Sequence, residues 1–180
     1  MTNKEKMLAG ELYKCDADLQ AEGERAHRLC RELNTEISGE RRAQIAKELL
    51  GRSGKNPWLT QGFYCDYGSN IEVGDDFYCN YGVCILDVCK VKIGDNCFIA
   101  PQVGIYAATH PLDRQTRISG LEYGKPITIG NDCWIGGGAI INPGVTLGDN
   151  VVVGSGSVVT KSFPSNVVIA GNPARIIRRL

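Results

Sequence analysis

The stretch GKPITIGNDCWIGGGAIINPGVTLGDNVVVGSGSVVT, residues 124–160, places a large aliphatic residue at every sixth position. These positions are Ile129, Ile135, Ile141, Leu147, Val153 and Val159. Six is a multiple of the two-residue period of a strand and does not match the turns of a helix, so the spacing predicts short strands. A period this short marks the repeat of a parallel β-helix, with three hexads, about 18 residues, in each coil.

The same register continues towards the amino terminus. Its aliphatic and cysteine positions are Val73, Cys79 and Ile85, and then, after two extra residues near 88–92, Ile93, Ile99 and Ile105. The polar segment 109–126 interrupts the register before Ile129 and has too few aliphatic residues to form a coil. We interpret it as a loop extruded from the β-helix, and a long loop on a rigid repeat scaffold is usually functional.

The first 57 residues have a different pattern. Leucine and isoleucine recur there at intervals of three, four and seven among many charged residues, which predicts amphipathic helices. The sequence therefore predicts a mainly β fold in three parts. They are an N-terminal helical segment and linker at 1–57, a β-helix at 58–163 with its extruded loop at 109–126, and a basic C-terminal tail at 164–180.

Composition excludes several classes of partner. Twenty Lys and Arg balance twenty Asp and Glu, so the chain has no net charge that would attract nucleic acid or an anionic membrane. No apolar run approaches the roughly 20 residues of a membrane span, and the amino terminus lacks the apolar core of a signal peptide. We therefore expect a cytoplasmic protein with no nucleic-acid or membrane partner.

The eight cysteines show neither a C-x-x-C motif nor a zinc-binding spacing. Cys97 and Cys133 fall in the small-residue register of the repeat, and Cys79 falls in the aliphatic one. A buried free cysteine packs as a small hydrophobic residue. We interpret the cysteines as reduced core residues, and we predict no metal site.

Five motifs together resemble the maltose/galactoside O-acetyltransferase family of hexapeptide-repeat enzymes, and its maltose-type members most closely. They are KEKMLAGELY (4–13), CDYGSNIEVGDDFYCNYG (65–82), ATHPLD (108–113), GKPITIGNDCWIGGGAIINPGVTLGDN (124–150) and VVTKSFPSNVVIAGNPARII (158–177). The resemblance implies a left-handed β-helix, whereas the six-residue period alone does not fix the hand. It also implies a homotrimer that binds acetyl-CoA between neighbouring chains and acetylates a sugar.

Acetyl transfer to a sugar needs a general base, because a sugar hydroxyl is too weak an acid to ionise alone. The chain has two histidines. His27 lies in a charged helical stretch, where we interpret it as a solvated surface residue. His110 opens the extruded loop, and the resemblance implies that it is the catalytic base. Asn80 matches an asparagine that contacts substrate and supports the transition state in the family; the alternative is a structural asparagine in a turn.

The resemblance also assigns binding residues. Asp16, Arg25 and Asp66 match positions that hold the acceptor sugar, although Asp18 competes with Asp16. Val88 stands where galactoside-type enzymes have an acidic residue, which argues against galactoside specificity.

For acetyl-CoA, the resemblance implies a series of contacts that runs from the pantetheine to the phosphates. The residues are Trp134, Gly137, Ser155, Thr160, Lys161, Arg175 and Arg178. Guanidinium groups pair well with phosphate, although a solvated basic tail would have the same composition.

The function that we expect is therefore acetyl transfer from acetyl-CoA to a sugar hydroxyl, the 6-hydroxyl of a maltose- or glucose-like acceptor, without a covalent acyl-enzyme. Three alternatives remain. One is an acetyltransferase of the same fold with another hydroxyl or an amine as acceptor. Another is a metal-dependent hydratase, which needs three histidines where this chain has two. The third is a non-catalytic trimeric scaffold.

Overall fold

A computed structural model describes all 180 residues and shows a parallel β-helix built from short strands. In chain order the strands are Arg52–Ser53 (β1), Trp58–Leu59 (β2), Tyr64–Cys65 (β3), Ile71–Val73 (β4), Tyr78–Cys79 (β5), Cys84–Leu86 (β6), Val91–Ile93 (β7), Phe98–Ile99 (β8), Gly104–Tyr106 (β9), Ala108–Thr109 (β10), Tyr123–Gly124 (β11), Ile127–Ile129 (β12), Trp134–Ile135 (β13), Ile140–Ile141 (β14), Thr146–Leu147 (β15), Val151–Val153 (β16), Val158–Val159 (β17), Val167–Gly171 (β18) and Ala174–Arg179 (β19).

Three parallel sheets form the faces of a prism. The first face has the strand order β1-β4-β7-β12-β15, the second β2-β5-β8-β13-β16-β18, and the third β3-β6-β9-β14-β17. Strand β19 adds to the edge of the second face antiparallel to β18. The aliphatic positions of the six-residue repeat point into the prism, and those of residues 124–160 are at most 1% exposed. The predicted fold class is confirmed.

One corner of the prism is fixed by side chains that bond to the next coil. The Asp75 carboxylate accepts from the Lys55 N–H at 2.8 Å, Asp95 accepts from the Asp75 N–H at 2.7 Å, and Asn131 accepts from the Asp95 N–H at 2.9 Å. A Cβ on Gly74 would collide with the Asp95 carboxylate. The glycine that follows the aliphatic residue therefore makes room for this ladder of hydrogen bonds.

The residue after each ladder position has a left-handed backbone, with φ between 53° and 60°. These residues are Asn56, Asp76, Asn96, Asp132, Asn150 and Asn166. Asn and Asp tolerate this conformation better than other non-glycine residues. Backbone conformation and side-chain hydrogen bonds therefore select the same residue types at this corner.

Four helices accompany the prism: Asn3–Ala9 (α1), Ala17–Thr35 (α2), Gly39–Leu49 (α3) and Arg114–Ile118 (α4). Helices α2 and α3 cover the first coil, where Leu33 and Leu49 join the core that contains Leu59. The buried Arg42 of α3 donates to the carbonyls of Leu33, at 2.6 Å, and of Leu59. This contact ties both helices to the open end of the prism. None of the four helices combines the length and the apolar composition that a membrane-spanning helix requires.

Both domain boundaries drawn from the sequence fall inside coils. Strand β1 lies in the segment interpreted as a linker, and its Ser53 pairs with Val73. Strand β18 lies in the segment interpreted as a tail, and its Val167 pairs with Val151. Backbone pairing therefore extends the prism beyond both predicted boundaries: β1 pairs with β4 alone, and β18 pairs with β16 on one side and β19 on the other.

The segment 109–126 leaves the prism at a single corner. Its two ends pair antiparallel through β10 and β11, where Thr109 faces Tyr123, and α4 lies between them. After the loop, β12 resumes the first face directly against β7, with Ile129 opposite Ile93. The loop is therefore an insertion that leaves the stacking of the coils unbroken.

Candidate functional site

A cavity of about 500 Å³ lies at the corner where the third face passes to the first, over three consecutive coils. Each coil supplies residues from this corner, and the N-terminal segment and one side of α2 form the opposite wall. The lining consists of Tyr13, Cys15, Leu19, Gln20, Gly23, Glu24, His27, Asp66, Tyr67, Leu86, Val88, Ala108, His110 and Glu122.

The extruded loop and the N-terminal segment hold each other in place. Tyr13 and Glu122 exchange both backbone hydrogen bonds, at 3.0 and 3.2 Å. Gly124 packs so closely against Val88 and Cys89 that a side chain there would collide with both. The loop therefore lies on the coil below it, and Glu122 is fixed in the cavity wall.

Both histidines of the chain line this cavity. His110 follows β10 directly at the start of the loop, and its side chain is exposed. His27 is exposed as well, as its charged surroundings suggested, but it lies on the side of α2 that forms the cavity wall together with Gln20 and Glu24. Residues spaced by three, four and seven share one face of a helix, which explains this grouping.

The charged side chains of the cavity are mainly acidic. Glu24, Asp66 and Glu122 line it, and no Lys or Arg does. Burial, followed by the charges of Asp87 and Glu122, raises the pKa of Asp66 to about 7. Burial and the neighbouring Glu122 likewise raise the pKa of Tyr13, whose buried hydroxyl has no hydrogen-bond partner.

Asp87 lies beneath the cavity and shapes its floor. The carboxylate is fully buried and accepts from the backbone N–H groups of Asp66, Tyr67 and Asn70 at 3.0, 2.9 and 3.3 Å. Burial raises its pKa even though these hydrogen bonds act in the opposite direction. Asp87 thereby sets the path of the corner that presents Asp66 to the cavity.

Of the residues predicted to hold the acceptor, only Asp66 lines the cavity. Asp16 caps α2, where its carboxylate accepts from the Leu19 N–H at 3.1 Å and from the Asn3 amide at 2.9 Å. Its competitor Asp18 shares a separate surface depression with it. The Arg25 guanidinium donates to the carbonyl of Glu48 in α3, and Arg25 is not part of the cavity lining.

Asn80 lies in a second depression, an apolar groove of about 490 Å³ on the second face. Tyr78, Phe98, Ala100 and Trp134 line the groove with it, and Phe98 and Trp134 are each 54% exposed. The Asn80 side-chain oxygen Oδ1 accepts from the Tyr81 N–H at 2.8 Å, while the side-chain nitrogen Nδ2 has no partner. Asn80 therefore stabilises a turn, as the alternative interpretation of the sequence expected, and its side-chain NH₂ group remains free to donate.

The residues predicted to contact acetyl-CoA lie in the later coils of the prism and in strand β19. Trp134 offers an exposed aromatic face, and Gly137 accepts from the Gly156 N–H at 2.9 Å, which brings Ser155 beside it. The remaining predicted residues, Thr160, Lys161, Arg175 and Arg178, are exposed. The Arg175 guanidinium already donates to the carbonyl of Ala174 at 2.8 Å, whereas the Arg178 guanidinium makes no hydrogen bond or ion pair.

The cysteines are mostly buried, and all eight are free. Cys15 is the exception to the interpretation as core residues, because it is exposed and lines the cavity. Cys15 follows α1 in a polar segment outside the repeat, so the six-residue register gave no information about it. No group of three or more His, Cys, Asp or Glu side chains is arranged to hold a metal ion.

Comparison with known proteins identifies two family patterns in the chain. Residues 6–54 match the maltose acetyltransferase hexapeptide capping motif, and residues 126–161 match six repeats of the bacterial transferase hexapeptide. A galactoside O-acetyltransferase of Escherichia coli is 46% identical over 141 residues, which are 78% of this chain and 70% of that protein.

Two solved structures resemble the whole chain. The maltose O-acetyltransferase of Clostridium difficile 630 is 51% identical with a TM-score of 0.98, over 100% of this chain and 98% of that one. A galactoside acetyltransferase in complex with coenzyme A is 43% identical with a TM-score of 0.96, over 99% and 91% of the two chains.

Proposed function

Since the chain belongs to the hexapeptide-repeat acetyltransferases, the family of the maltose and galactoside O-acetyltransferases, we propose that it moves the acetyl group of acetyl-CoA to a sugar hydroxyl. The acceptor hydroxyl is the 6-hydroxyl of a maltose- or glucose-like sugar, and the reaction takes place in the cytoplasm. The observation that carries the proposal is His110 in a cavity whose other polar side chains suit a polyhydroxylated ligand.

His110 acts as the general base. Its imidazole takes the proton of the acceptor hydroxyl while the oxygen attacks the thioester carbonyl, which forms the C–O bond of a tetrahedral intermediate and puts negative charge on the carbonyl oxygen. The C=O bond then re-forms as the C–S bond breaks, and the imidazolium returns the proton to the departing thiolate. A positioned base of this kind accelerates such a reaction by about 10²- to 10⁴-fold.

Asn80 stabilises the charge that develops on the carbonyl oxygen. Its amide nitrogen is the free donor in the groove, and one preorganised donor in such a position is worth about 3 kcal/mol. Because Asn80 and His110 line separate depressions of one chain, the proposal includes a homotrimer in which they meet between neighbours. Cyclic symmetry closes head-to-tail contacts of this kind.

The apolar groove and the carboxyl terminus bind the donor. Trp134 and Gly137 lie along the pantetheine. Ser155, Thr160 and Lys161 lie further along the same ligand. Arg175 and Arg178 lie near its phosphates. The exposed aromatic side chains in the groove support the pantetheine contact, and the unpaired guanidinium of Arg178 supports the phosphate contact.

Release of free CoA from acetyl-CoA, measured with a panel of neutral sugars, amino sugars and uronic acids, tests the function. We expect sugar-dependent release that falls by about 10²- to 10⁴-fold in His110→Ala, while acetyl-CoA binding measured by calorimetry changes little. An enzyme that releases no CoA with any sugar would refute the proposed function, and near-normal turnover in His110→Ala would remove His110 from the mechanism.

A further inference from the structure

No Lys or Arg side chain of the chain lines the acceptor cavity beside its carboxylates. Glu24, Asp66 and Glu122 take no part in the four ion pairs of the structure, which all lie elsewhere. Asp66 and Glu122 also accept no hydrogen bond on their carboxylates. Like charges held together in a partly buried site cost free energy unless a cation joins them.

A buried hydroxyl in the cavity wall also lacks a partner within the protein. Tyr13 forms part of the wall beside Glu122, is 1% exposed, and has a hydroxyl without a hydrogen-bond partner. Burial and the neighbouring carboxylates raise the pKa of this hydroxyl, so it stays neutral and keeps an O–H group that can donate to a bound ligand. The site is therefore built with hydrogen-bonding and anionic groups that the protein itself does not satisfy.

We propose that the acceptor sugar carries a protonated amine, which binds between the Asp66 and Glu122 carboxylates. The natural substrate class is then an amino sugar with a free amino group, in preference to a neutral hexose. This inference rests on the proposed acetyl transfer and specifies its acceptor. An ammonium group provides three donors, and two carboxylates accept them with charge-assisted hydrogen bonds.

The same contact explains why acetyl transfer to such a sugar gives an ester. Nearby carboxylates favour the charged form of an amine and raise its pKa. A protonated amine has no lone pair and cannot attack the thioester, so the hydroxyl beside His110 remains the nucleophile. The hydroxyl proton passes to His110 and then to the thiolate, and the product is an acetate ester whose amino group is still free.

The test compares three acceptors on the intact protein: a hexosamine, the matching hexose and the N-acetylated hexosamine. We expect kcat/KM for the hexosamine to exceed both others by at least about tenfold at pH 7.5, with an alkali-labile product, because only the amine carries the charge. In Asp66→Asn and Glu122→Gln this preference should shrink towards equality. Glu40→Gln, which removes a charge from the exposed start of α3, should keep the preference of the unaltered protein.

The outcomes separate the two proposals. Equal use of hexose and hexosamine, or an unchanged preference in both carboxylate variants, would refute the amine contact while acetyl transfer to sugars stands. If a variant turns over too slowly for kinetics, calorimetry measures its affinities for the hexosamine and the hexose, and the ratio of these affinities replaces the ratio of kcat/KM values. Failure of all three acceptors together with every other sugar would instead refute the proposed function.

Discussion

Asp87 and Asn70 exchange hydrogen bonds across two neighbouring coils. The Asn70 backbone N–H donates to the Asp87 carboxylate at 3.3 Å, and the Asn70 side-chain amide donates to the Asp87 carbonyl at 2.7 Å. The same carboxylate accepts from two further backbone N–H groups. A single buried carboxylate thus holds the corner on which the cavity is built.

Replacement of Asp87 by Ala should lower the free energy of unfolding by about 3 kcal/mol or more, because three buried N–H groups lose their acceptor. Asp87→Asn should cost less, about 1–2 kcal/mol, since its amide oxygen replaces one carboxylate oxygen while its NH₂ group faces a donor. Urea unfolding followed by circular dichroism measures both. Asp18→Asn, on the exposed first turn of α2, is the control. Equal stability of Asp87→Ala and the unaltered protein would contradict the role of this residue.

Asp66 should make stability depend on pH. Its pKa is raised to about 7 in the folded protein, so the folded state holds a proton that the unfolded chain releases near pH 4. The stabilising contribution is present at low pH and is lost as pH rises through 7. Asp66→Asn should therefore gain stability relative to the unaltered protein between pH 5 and pH 8.5, by about 1–2 kcal/mol after allowance for partial exposure. Thermal melts at both pH values measure this difference. If the stability of Asp66→Asn and that of the unaltered protein change equally with pH, Asp66 has an ordinary pKa.

Two inactive variants should restore activity to each other. Asn80→Ala and His110→Ala, mixed after dissociation and reassembly, form trimers in which one junction pairs a normal Asn80 with a normal His110. We expect CoA release to return, up to one working site in each mixed trimer. Each variant taken alone through the same cycle is the control. A mixture that reassembles and stays inactive would show that both residues act within one chain.

Arg178 should contribute more than Arg175 to the binding of acetyl-CoA. Arg175 already donates to a carbonyl of its own turn, whereas the Arg178 guanidinium is unpaired. Arg178→Ala should raise the KM for acetyl-CoA severalfold and leave the KM for the sugar almost unchanged, because phosphate contacts lie far from the reacting carbonyl. Lys47→Ala, on the exposed side of α3, controls for the loss of one positive charge. An unchanged KM for acetyl-CoA would show that Arg178 is a solvated residue that does not contact acetyl-CoA.

The sequence predicted the β-helix because its signal is periodic and local. Each inward residue, such as Ile129 or Val153, is set by the two-residue alternation of its own strand. The ends of the prism were harder to predict. In β1 the six-residue register falls on Ser53, which is not aliphatic, and in β18 the pairing of Ile169 with Val153 lies outside that register. The hand of the coil came from the family resemblance and not from the period.

The cavity was only partly predictable because it joins four distant parts of the chain. His110 and Asp66 lie in recognisable motifs, but Tyr13 and Glu122 meet through backbone pairing that no local pattern encodes. His27 has a charged neighbourhood typical of a solvated surface, and only the packing of α2 against the prism brings it to the cavity. Asp16 shows the reverse case, since a carboxylate at a helix start caps that helix without any ligand.

Because β12 stacks directly on β7, the extruded loop is structurally separate from the coils of the prism. Ile93 and Ile129 are neighbours in the first face although the whole loop lies between them in the chain. Changes in the length or composition of that loop alter the wall that meets the acceptor, while the coils that carry Trp134 and Asn80 keep their positions. If the proposed function is correct, exchange of this one surface insertion changes the acceptor wall while the groove proposed for acetyl-CoA stays in place, which offers a route to engineered specificity.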